Sequence, residues 1–252
     1  MRLTALAATF VLVTSSAFAQ APAHTWIDFN VVSVQPQQDE QTYTLRTSLF
    51  GETATAATTY PTFSRATGRA VDAGVNVHSM FGLGVHFDPV NYEYPVGLAV
   101  NIPHPAIFNR FASDADVTSE TLERRDRGID VYAAFIPHTP DAWRIRLFGG
   151  PTHFTVTQEM VEGVRYNQVF NPLTGANVVD ITTHTNKTVE DSAWGFNVGA
   201  DVSYFFSKYV GVGGVARFNR GTVKIASEPF TTESTELKAG HTAVGGGLRL
   251  RF

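Results

Sequence analysis

Hydrophobic and polar residues alternate along much of this chain with a period of two, the pattern of half-buried β-strands. The clearest case runs from Ser192 to Phe206, where apolar side chains occupy every second position from Trp194 onward. The residues between them are mostly small or polar. The C-terminus repeats the pattern, with Leu248 and Phe252 on its apolar face. Because helical periodicity is nearly absent, the chain is predicted to be all-β.

The alternating segments predict eight strands. Their expected ranges are 25–34, 68–79, 82–88, 119–136, 143–160, 191–206, 209–226 and 236–252. The third has room to continue past Pro89 toward Val100. The connections are alternately short and long, which is typical of an antiparallel up-and-down barrel with tight turns at one end and long loops at the other.

The first nineteen residues have the features of an export signal. Met1-Arg2 is a short basic start, an apolar run follows from Leu3 to Val13, and Ala17-Phe18-Ala19 ends it with small residues. This is the organisation of a secretory signal peptide, too short to span a bilayer. We therefore expect a cleaved signal peptide at 1–19 and a barrel domain at 20–252.

The polar face of the strands decides which side of the barrel is inside. A soluble barrel would expose mainly Lys and Glu there, but this face combines Asp and Arg with Gly, Asn and Ser. Small residues suit the crowded lumen of an eight-stranded barrel, and Arg matches carboxylates in a desolvated interior. The predicted lumen charges are Asp72, Asp130, Asp201, Arg144, Arg146, Arg217 and Arg249, with Asp28 and Arg251 on the same face. The apolar face should then contact lipid, which predicts a transmembrane β-barrel.

Aromatic residues gather near the strand ends, as expected for the two interfaces of a membrane. The predicted membrane-interface aromatics are Trp26, Trp143, Trp194, Phe206 and Tyr209. Phe87, Phe154 and Phe218 are expected to join Trp194 in the belt at the long-loop end.

Composition narrows the function classes. The chain has 252 residues, a net charge of −4 and no cysteine, which excludes disulfides, thiolate metal sites and cysteine nucleophiles. The mild acidity, without a basic stripe, argues against nucleic-acid binding. Sixteen porin-like strands would not fit beside such long loops. The mean hydropathy of −0.05 looks like that of a soluble protein because the two strand faces cancel.

The export signal, the eight-strand alternation and the ending Gly245-Gly246-Gly247-Leu248-Arg249-Leu250-Arg251-Phe252 together resemble the small outer-membrane β-barrel proteins of Gram-negative bacteria, the OmpA/OmpX-like group. The resemblance implies a barrel in the outer membrane. It also implies an assembly signal for the barrel assembly machinery at Phe252, Leu250 and Leu248. No activity follows from it, because function in such barrels lies in the loops and the lumen.

Three histidines are candidates for chemistry. His78 and His86 flank the first tight turn and could bind a metal across it, although hydrogen-bonded structural histidines are the commoner case. His153 is expected to face outward near the rim, where an outer-membrane lipid hydrolase would need a Ser and a carboxylate beside it. The sequence offers no Gly-x-Ser-x-Gly elbow, and no catalytic residue, metal or cofactor is predicted.

Two long loops carry candidate contact surfaces. Ile107, Phe108 and Phe111 are expected to share one face of a helical turn after Pro105, as a patch for a partner or as a loop mini-core. The first loop has two Thr-rich segments, 43–50 and 53–60. They are expected to form a hairpin above the membrane, whose edge could pair with a partner strand.

The resulting hypothesis is a monomeric integral outer-membrane barrel with a largely plugged polar lumen. Its role would be structural, surface-interacting or that of a minor pore. Its expected partners are outer-membrane lipid, lipopolysaccharide, the barrel assembly machinery and an extracellular protein. Two alternatives remain at this point: a secreted lipocalin-like barrel with the apolar face inward, and an outer-membrane lipid-modifying hydrolase.

Overall fold

The computed structural model describes residues 25–117, 121–140, 142–225 and 235–252, and the expected signal peptide at 1–19 lies outside them. Eight antiparallel strands close into a ring in the order β1-β4-β5-β8-β9-β10-β11-β13, with β13 pairing back to β1. Their bounds are β1 Thr25–Pro36, β4 Ala66–His78, β5 Phe81–Tyr94, β8 Leu122–Phe135, β9 Trp143–Asn171, β10 Ala176–Phe205, β11 Val210–Ile225 and β13 His241–Arg251. The predicted eight-stranded barrel is confirmed.

A second sheet lies beyond the barrel and contains four shorter strands in the order β2-β3-β6-β7. They are β2 Gln41–Leu49, β3 Glu52–Tyr60, β6 Gly97–Pro103 and β7 Phe111–Val117, while β12, Thr235–Ala239, pairs with β11 instead. The expected first-loop hairpin is β2–β3. Its turn residues Phe50 and Gly51 both have positive φ, at 53° and 81°, which is the twist of a type I′ hairpin.

The segment 161–191, expected to be a loop, is strand instead. β9 and β10 run far beyond the barrel wall and form one hairpin that turns at 172–175. The segment is rich in Val and Thr, which favour strands when one face is covered. The second sheet supplies that cover: Val179 packs with Ala54, Val100 and Ile102.

The prediction of a helical turn around Ile107, Phe108 and Phe111 is wrong. The segment is the connection between β6 and β7, and Phe111 already pairs with Pro103 as the first residue of β7. The Nδ1 atom of His104 accepts the N–H groups of Ala106 and Ile107 at 3.1 and 3.0 Å. Because His104 satisfies these amides locally, a tight turn replaces the helix.

An apolar core fills the barrel where its strands rise beyond the expected membrane. It includes Val34, Tyr92, Tyr94, Val156, Val223 and Leu237, covered by Tyr60 and Phe63 from the second sheet and the segment after it. Burial raises the pKa of Tyr60 to about 12, so its phenol stays neutral while its oxygen accepts the Val161 N–H at 2.8 Å. This core lies at the upper end of the barrel.

Candidate functional site: the buried charged lumen

The strand register builds a polar row around the inside of the barrel. Arg249 on β13 lies opposite Asp28 on β1, Asp28 opposite Asp72 on β4, and Asp72 opposite His86 on β5. The row continues from His86 to Asp130 on β8. Arg146 and Arg217 reach into it from β9 and β11 on the opposite wall. All of these side chains are buried. The strand positions predicted to face the lumen therefore do lie together inside the barrel.

One group of ion pairs lies toward the short-turn end. Arg146 Nη2 lies 2.5 Å from Asp28 Oδ2, and Arg249 donates from Nε and Nη2 to Asp201 Oδ2 at 3.0 and 2.6 Å. The remaining Arg249 donor, Nη1, bonds Asn30 Oδ1 at 2.7 Å. Since these five residues come from four strands, β1, β9, β10 and β13, the group ties the barrel wall together across its lumen.

Asp72 is the centre of the network. Its Oδ1 accepts from Trp26 Nε1 at 2.9 Å and from the Tyr132 hydroxyl at 2.6 Å. Its Oδ2 accepts from Arg217 Nη2 at 3.1 Å, and Arg146 Nη1 lies 3.4 Å from Oδ1. With so many donors, the carboxylate is compensated in the way that a buried charge requires.

Trp26 is not a membrane-interface residue, and that prediction is wrong. Its side chain is only 1% exposed and lies in the lumen, because it shares the parity of Asp28 along β1. The guanidinium groups of Arg144 and Arg146 lie 4.8 and 5.0 Å from its ring. Arg144 has no carboxylate within 4 Å among the described residues. It bonds Asn76 Oδ1 at 3.2 Å instead, so the indole ring partly replaces the expected carboxylate.

Lumen aromatics lie flat against glycines of the barrel wall. A Cβ atom at Gly74 would come within 2.2 Å of the Trp26 ring and 2.5 Å of the Leu83 carbonyl oxygen. At Gly84 it would come within 2.4 Å of Tyr132. These glycines therefore make room for the aromatic side chains in the lumen.

We expect Gly74→Ala to destabilise the barrel by about 1–3 kcal/mol, because the added methyl group forces Trp26 and a backbone carbonyl apart. Gly214→Ala is the matched control, since its nearest neighbour would be the Gly245 oxygen at 3.6 Å, an ordinary contact. The measurement is the denaturant midpoint of the folded band in detergent. Equal midpoints for the two variants would contradict the packing described here.

A second polar group above the row was missed by sequence reasoning. His241 Nε2 lies 2.7 Å from Asp88 Oδ2, and His86 lies 3.5 Å from Asp72 and from Asp88. Further up, Arg124 bonds both oxygens of Asp126 and the Lys238 carbonyl. In both groups the strand residues occupy the alternate positions that face the lumen. Asp88 lies on the lumen face of the strand predicted at 82–88, but it was not included among the predicted lumen charges.

The outer surface of the barrel is apolar. Trp194 is 70% exposed, and Phe196, Val198 and Val202 also point outward. A lipocalin-like barrel would bury this stripe around a ligand, so that alternative is wrong. No α-helix in the described part of the chain is long and apolar enough to cross a membrane.

Exposed aromatics mark the two edges of the apolar band. Trp143, Phe206 and Tyr209 lie beside the short turns, and Trp194 lies twelve positions before Phe206. Twelve residues of strand tilted by about 40° rise about 30 Å, close to the thickness of a bilayer core. Phe154, expected in the upper belt, is instead buried in the lumen against Gly195 and Gly221.

The histidine hypotheses do not match the geometry. His153 packs edge-on against Trp194 with ring centroids 5.0 Å apart, and no described Ser or carboxylate bonds it. His78 is the last residue of β4 and pairs with Phe81 beside the turn, whereas His86 lies opposite Asp72 deeper in the barrel. Among the described residues, no group of three His, Asp or Glu side chains could hold a metal ion.

The C-terminal residues close the ring. The Phe252 N–H donates to the Thr25 oxygen at 2.9 Å, and the Thr25 N–H donates back at 3.1 Å. Leu248 and Phe252 are exposed on the outer face and Leu250 is partly exposed beside them. The apolar side chains of the expected assembly signal therefore line the lipid side of β13.

Solved structures with the same architecture were found at low sequence identity. The outer membrane protein OprG from Pseudomonas aeruginosa is 10% identical, with 91% of this chain and 96% of that chain covered and a TM-score of 0.50. The chain has the fold of the small outer-membrane β-barrel proteins.

Two further solved structures are similar at lower scores. The Neisserial surface protein A is 12% identical over 92% of this chain and 98% of its own, with a TM-score of 0.43. The outer membrane protease OmpT from Escherichia coli is 9% identical over 94% and 100%, with a TM-score of 0.39. No protein-family model and no curated protein sequence matches the chain.

Together, the fold and the apolar outer band identify this chain as a barrel that spans the outer membrane. The charged side chains of the buried network are turned toward its lumen.

Proposed function

We propose that this chain is an integral outer-membrane protein whose barrel is closed to solutes and whose projecting β-structure makes contacts at the cell surface. The observation that supports closure best is the succession of buried side chains along the lumen. The ion-pair network occupies its lower part, the Asp88 and Arg124 groups lie above it, and the Tyr60–Phe63 core covers the top.

The projecting structure supports the contact role. Four strands form the second sheet, and the outer part of the β9–β10 hairpin packs against it. Asp114 on β7 accepts the Ile181 N–H of β10 at 2.8 Å, so sheet and hairpin hold each other in place. A barrel that served only as a pore would not need such an ordered structure beyond the membrane.

Planar-bilayer recording tests closure. The purified folded chain should show no steady conductance steps, and a gel shift between unboiled and boiled samples verifies that the reconstituted protein is folded. Steady, discrete openings of the folded protein would instead favour the second candidate function, a minor pore whose lumen ion pairs rearrange.

Basic residues above the apolar band support lipopolysaccharide as the lipid partner. Val71, Phe87 and Ile129 form one exposed apolar row across β4, β5 and β8. Arg69 and Arg127 lie two residues beyond Val71 and Ile129 and are also exposed. At this height the guanidinium groups would meet the phosphates of the outer leaflet, which they can bind bidentately.

Several further assignments belong to the same proposal. Residues 1–19 would be the cleaved export signal, and Phe252, Leu250 and Leu248 the assembly signal read by the barrel assembly machinery. No residue is assigned a catalytic role. A Leu248→Asp variant that assembles as well as the native chain would count against the assembly signal.

A further inference from the structure

The three turns farthest from the barrel each expose large apolar side chains. Phe50 is 52% exposed in the β2–β3 turn, Ile107 and Phe108 are 44% and 70% exposed in the β6–β7 turn, and Leu173 is 95% exposed in the β9–β10 turn. We call these four residues the apical crown. Isolated exposed apolar residues need no explanation, but several gathered on turn tips mark a contact surface.

Contacts between the turns bring the crown together. Glu52 Oε1 accepts the Asn109 N–H at 2.9 Å, which joins the first two turns. The rings of His104 and Phe170 meet edge-on at 4.9 Å, and Gln168 Nε2 donates to the Pro103 oxygen at 3.1 Å. These contacts hold the third turn beside the second, so the crown residues share one end of the molecule.

Several backbone N–H groups in the second and third turns are hydrogen-bonded within their own turn. Asn171 Oδ1 accepts the N–H groups of Leu173 and Thr174, and the Asn171 carbonyl oxygen accepts that of Gly175. In the second turn, His104 accepts the Ala106 and Ile107 amides. Backbone groups that enter lipid must be satisfied internally, and these five N–H groups meet that condition.

In the first turn, a large apolar residue occupies a position whose backbone conformation disfavours it. Phe50 adopts a φ of 53°, in the left-handed region that Asn or Gly occupies at lower cost. Structure alone would favour Asn at this position. A large aromatic side chain that is both exposed and conformationally costly indicates a contact outside the molecule.

We propose that the apical crown inserts into an apposed lipid bilayer, a proposal that rests on the surface-contact function above. The crown turns, 48–53, 105–111 and 170–176, contain only Glu52 and Arg110 as ionisable residues. Their charges cancel, so entry into the interface meets little electrostatic opposition.

The arrangement of the crown side chains favours a lipid bilayer as their contact partner. The crown side chains stand on separate turns, and a bilayer accepts such side chains without shape complementarity. The shallow cavity on the second sheet is lined by Thr55, Asn101, Ser113 and their neighbours, and by none of the crown residues. The strand from Thr155 to Asn171 spans up to about 50 Å at 3.3 Å per residue, which holds the crown away from the protein's own membrane.

Vesicle flotation tests the proposal with the full chain in nanodiscs. We expect the native chain to float with phosphatidylcholine vesicles, and the variant Phe50→Ser/Phe108→Ser/Leu173→Ser to bind at least tenfold more weakly. Val117→Ser is the control, because Val117 is 62% exposed at the other end of the second sheet. Empty nanodiscs give the background, and the gel shift verifies that each variant is folded.

A label at the crown gives a second readout. The chain contains no cysteine, so Leu173→Cys carries a single environment-sensitive fluorophore. Its emission should shift to the blue when vesicles are added, whereas the same label at Val117→Cys should not respond.

The outcomes separate this proposal from the proposed function. Equal flotation of the native chain and the crown variant, or no flotation of the native chain, would overturn membrane insertion. Conductance recordings test the closed barrel independently. A chain that does not bind vesicles and shows no conductance would still be a surface protein, but one whose crown contacts a different partner.

Discussion

Replacing Asp72 with alanine is expected to lower the free energy of unfolding by about 3–5 kcal/mol, the cost of leaving buried charges without their partner. Arg217 and Arg146 would each lose a carboxylate, and Trp26 and Tyr132 would lose a hydrogen-bond acceptor. Asp72→Asn should cost less, since an amide oxygen still accepts some of these bonds.

Asp180→Ala is the matched control, because Asp180 is exposed on the outer part of β10 and exposed substitutions usually change stability by less than about 0.5 kcal/mol. Equilibrium unfolding in urea, with the barrel refolded into phospholipid vesicles, gives the comparison. If Asp72→Ala were as stable as Asp180→Ala, the network around Asp72 would not hold the lumen together.

Replacing Val198 with arginine is expected to destabilise the membrane-inserted barrel by about 2–4 kcal/mol, the cost of a cation on the lipid face near the bilayer midplane. Val198 is exposed on β10 between Trp194 and Phe206. Its neighbours across the strands are Gly149 and Phe218, so no carboxylate is at hand to compensate the charge.

Ser192→Arg on the same face of β10 is the control, because Ser192 lies just beyond Trp194 and the cost falls to about 0–1 kcal/mol near the interface. The same vesicle unfolding assay applies to both variants. Similar small effects at the two positions would mean that Val198 faces water, and the membrane-spanning assignment would fail.

Most of the fold could be predicted from the alternation of polar and apolar residues along the strands. In a barrel with two chemically different faces, an even or odd position in the strand decides whether a side chain faces the lumen or the lipid. Parity alone would also have placed Trp26 and Phe154 correctly. Both were assigned by their position near strand ends, and they lie in the lumen because Gly74, Gly195 and Gly221 leave space for their rings. Arg124 and Asp126 follow the same parity and were available from the sequence.

The projecting structure was harder to predict because its stability comes from contacts between distant segments. The outer part of β9 and β10 looks like a polar loop until Ala54, Val100 and Ile102 cover Val179. Convergence of the three crown turns depends on pairs such as Glu52 with Asn109, which local patterns do not encode. The patch at Ile107, Phe108 and Phe111 stays a prediction as a contact surface, whereas the helical turn predicted for it is wrong.

The most direct test of the account is spin-label accessibility along β10, in a chain that lacks native cysteine. Single cysteines from position 196 to 204 are labelled in vesicles and exposed to oxygen, which concentrates in lipid, and to a water-soluble nickel complex. The even positions should be accessible to oxygen, and the odd positions shielded from both reagents by the filled lumen. Odd positions open to the nickel complex would reveal a water-filled pore, and even positions open to it would contradict the membrane-spanning barrel itself.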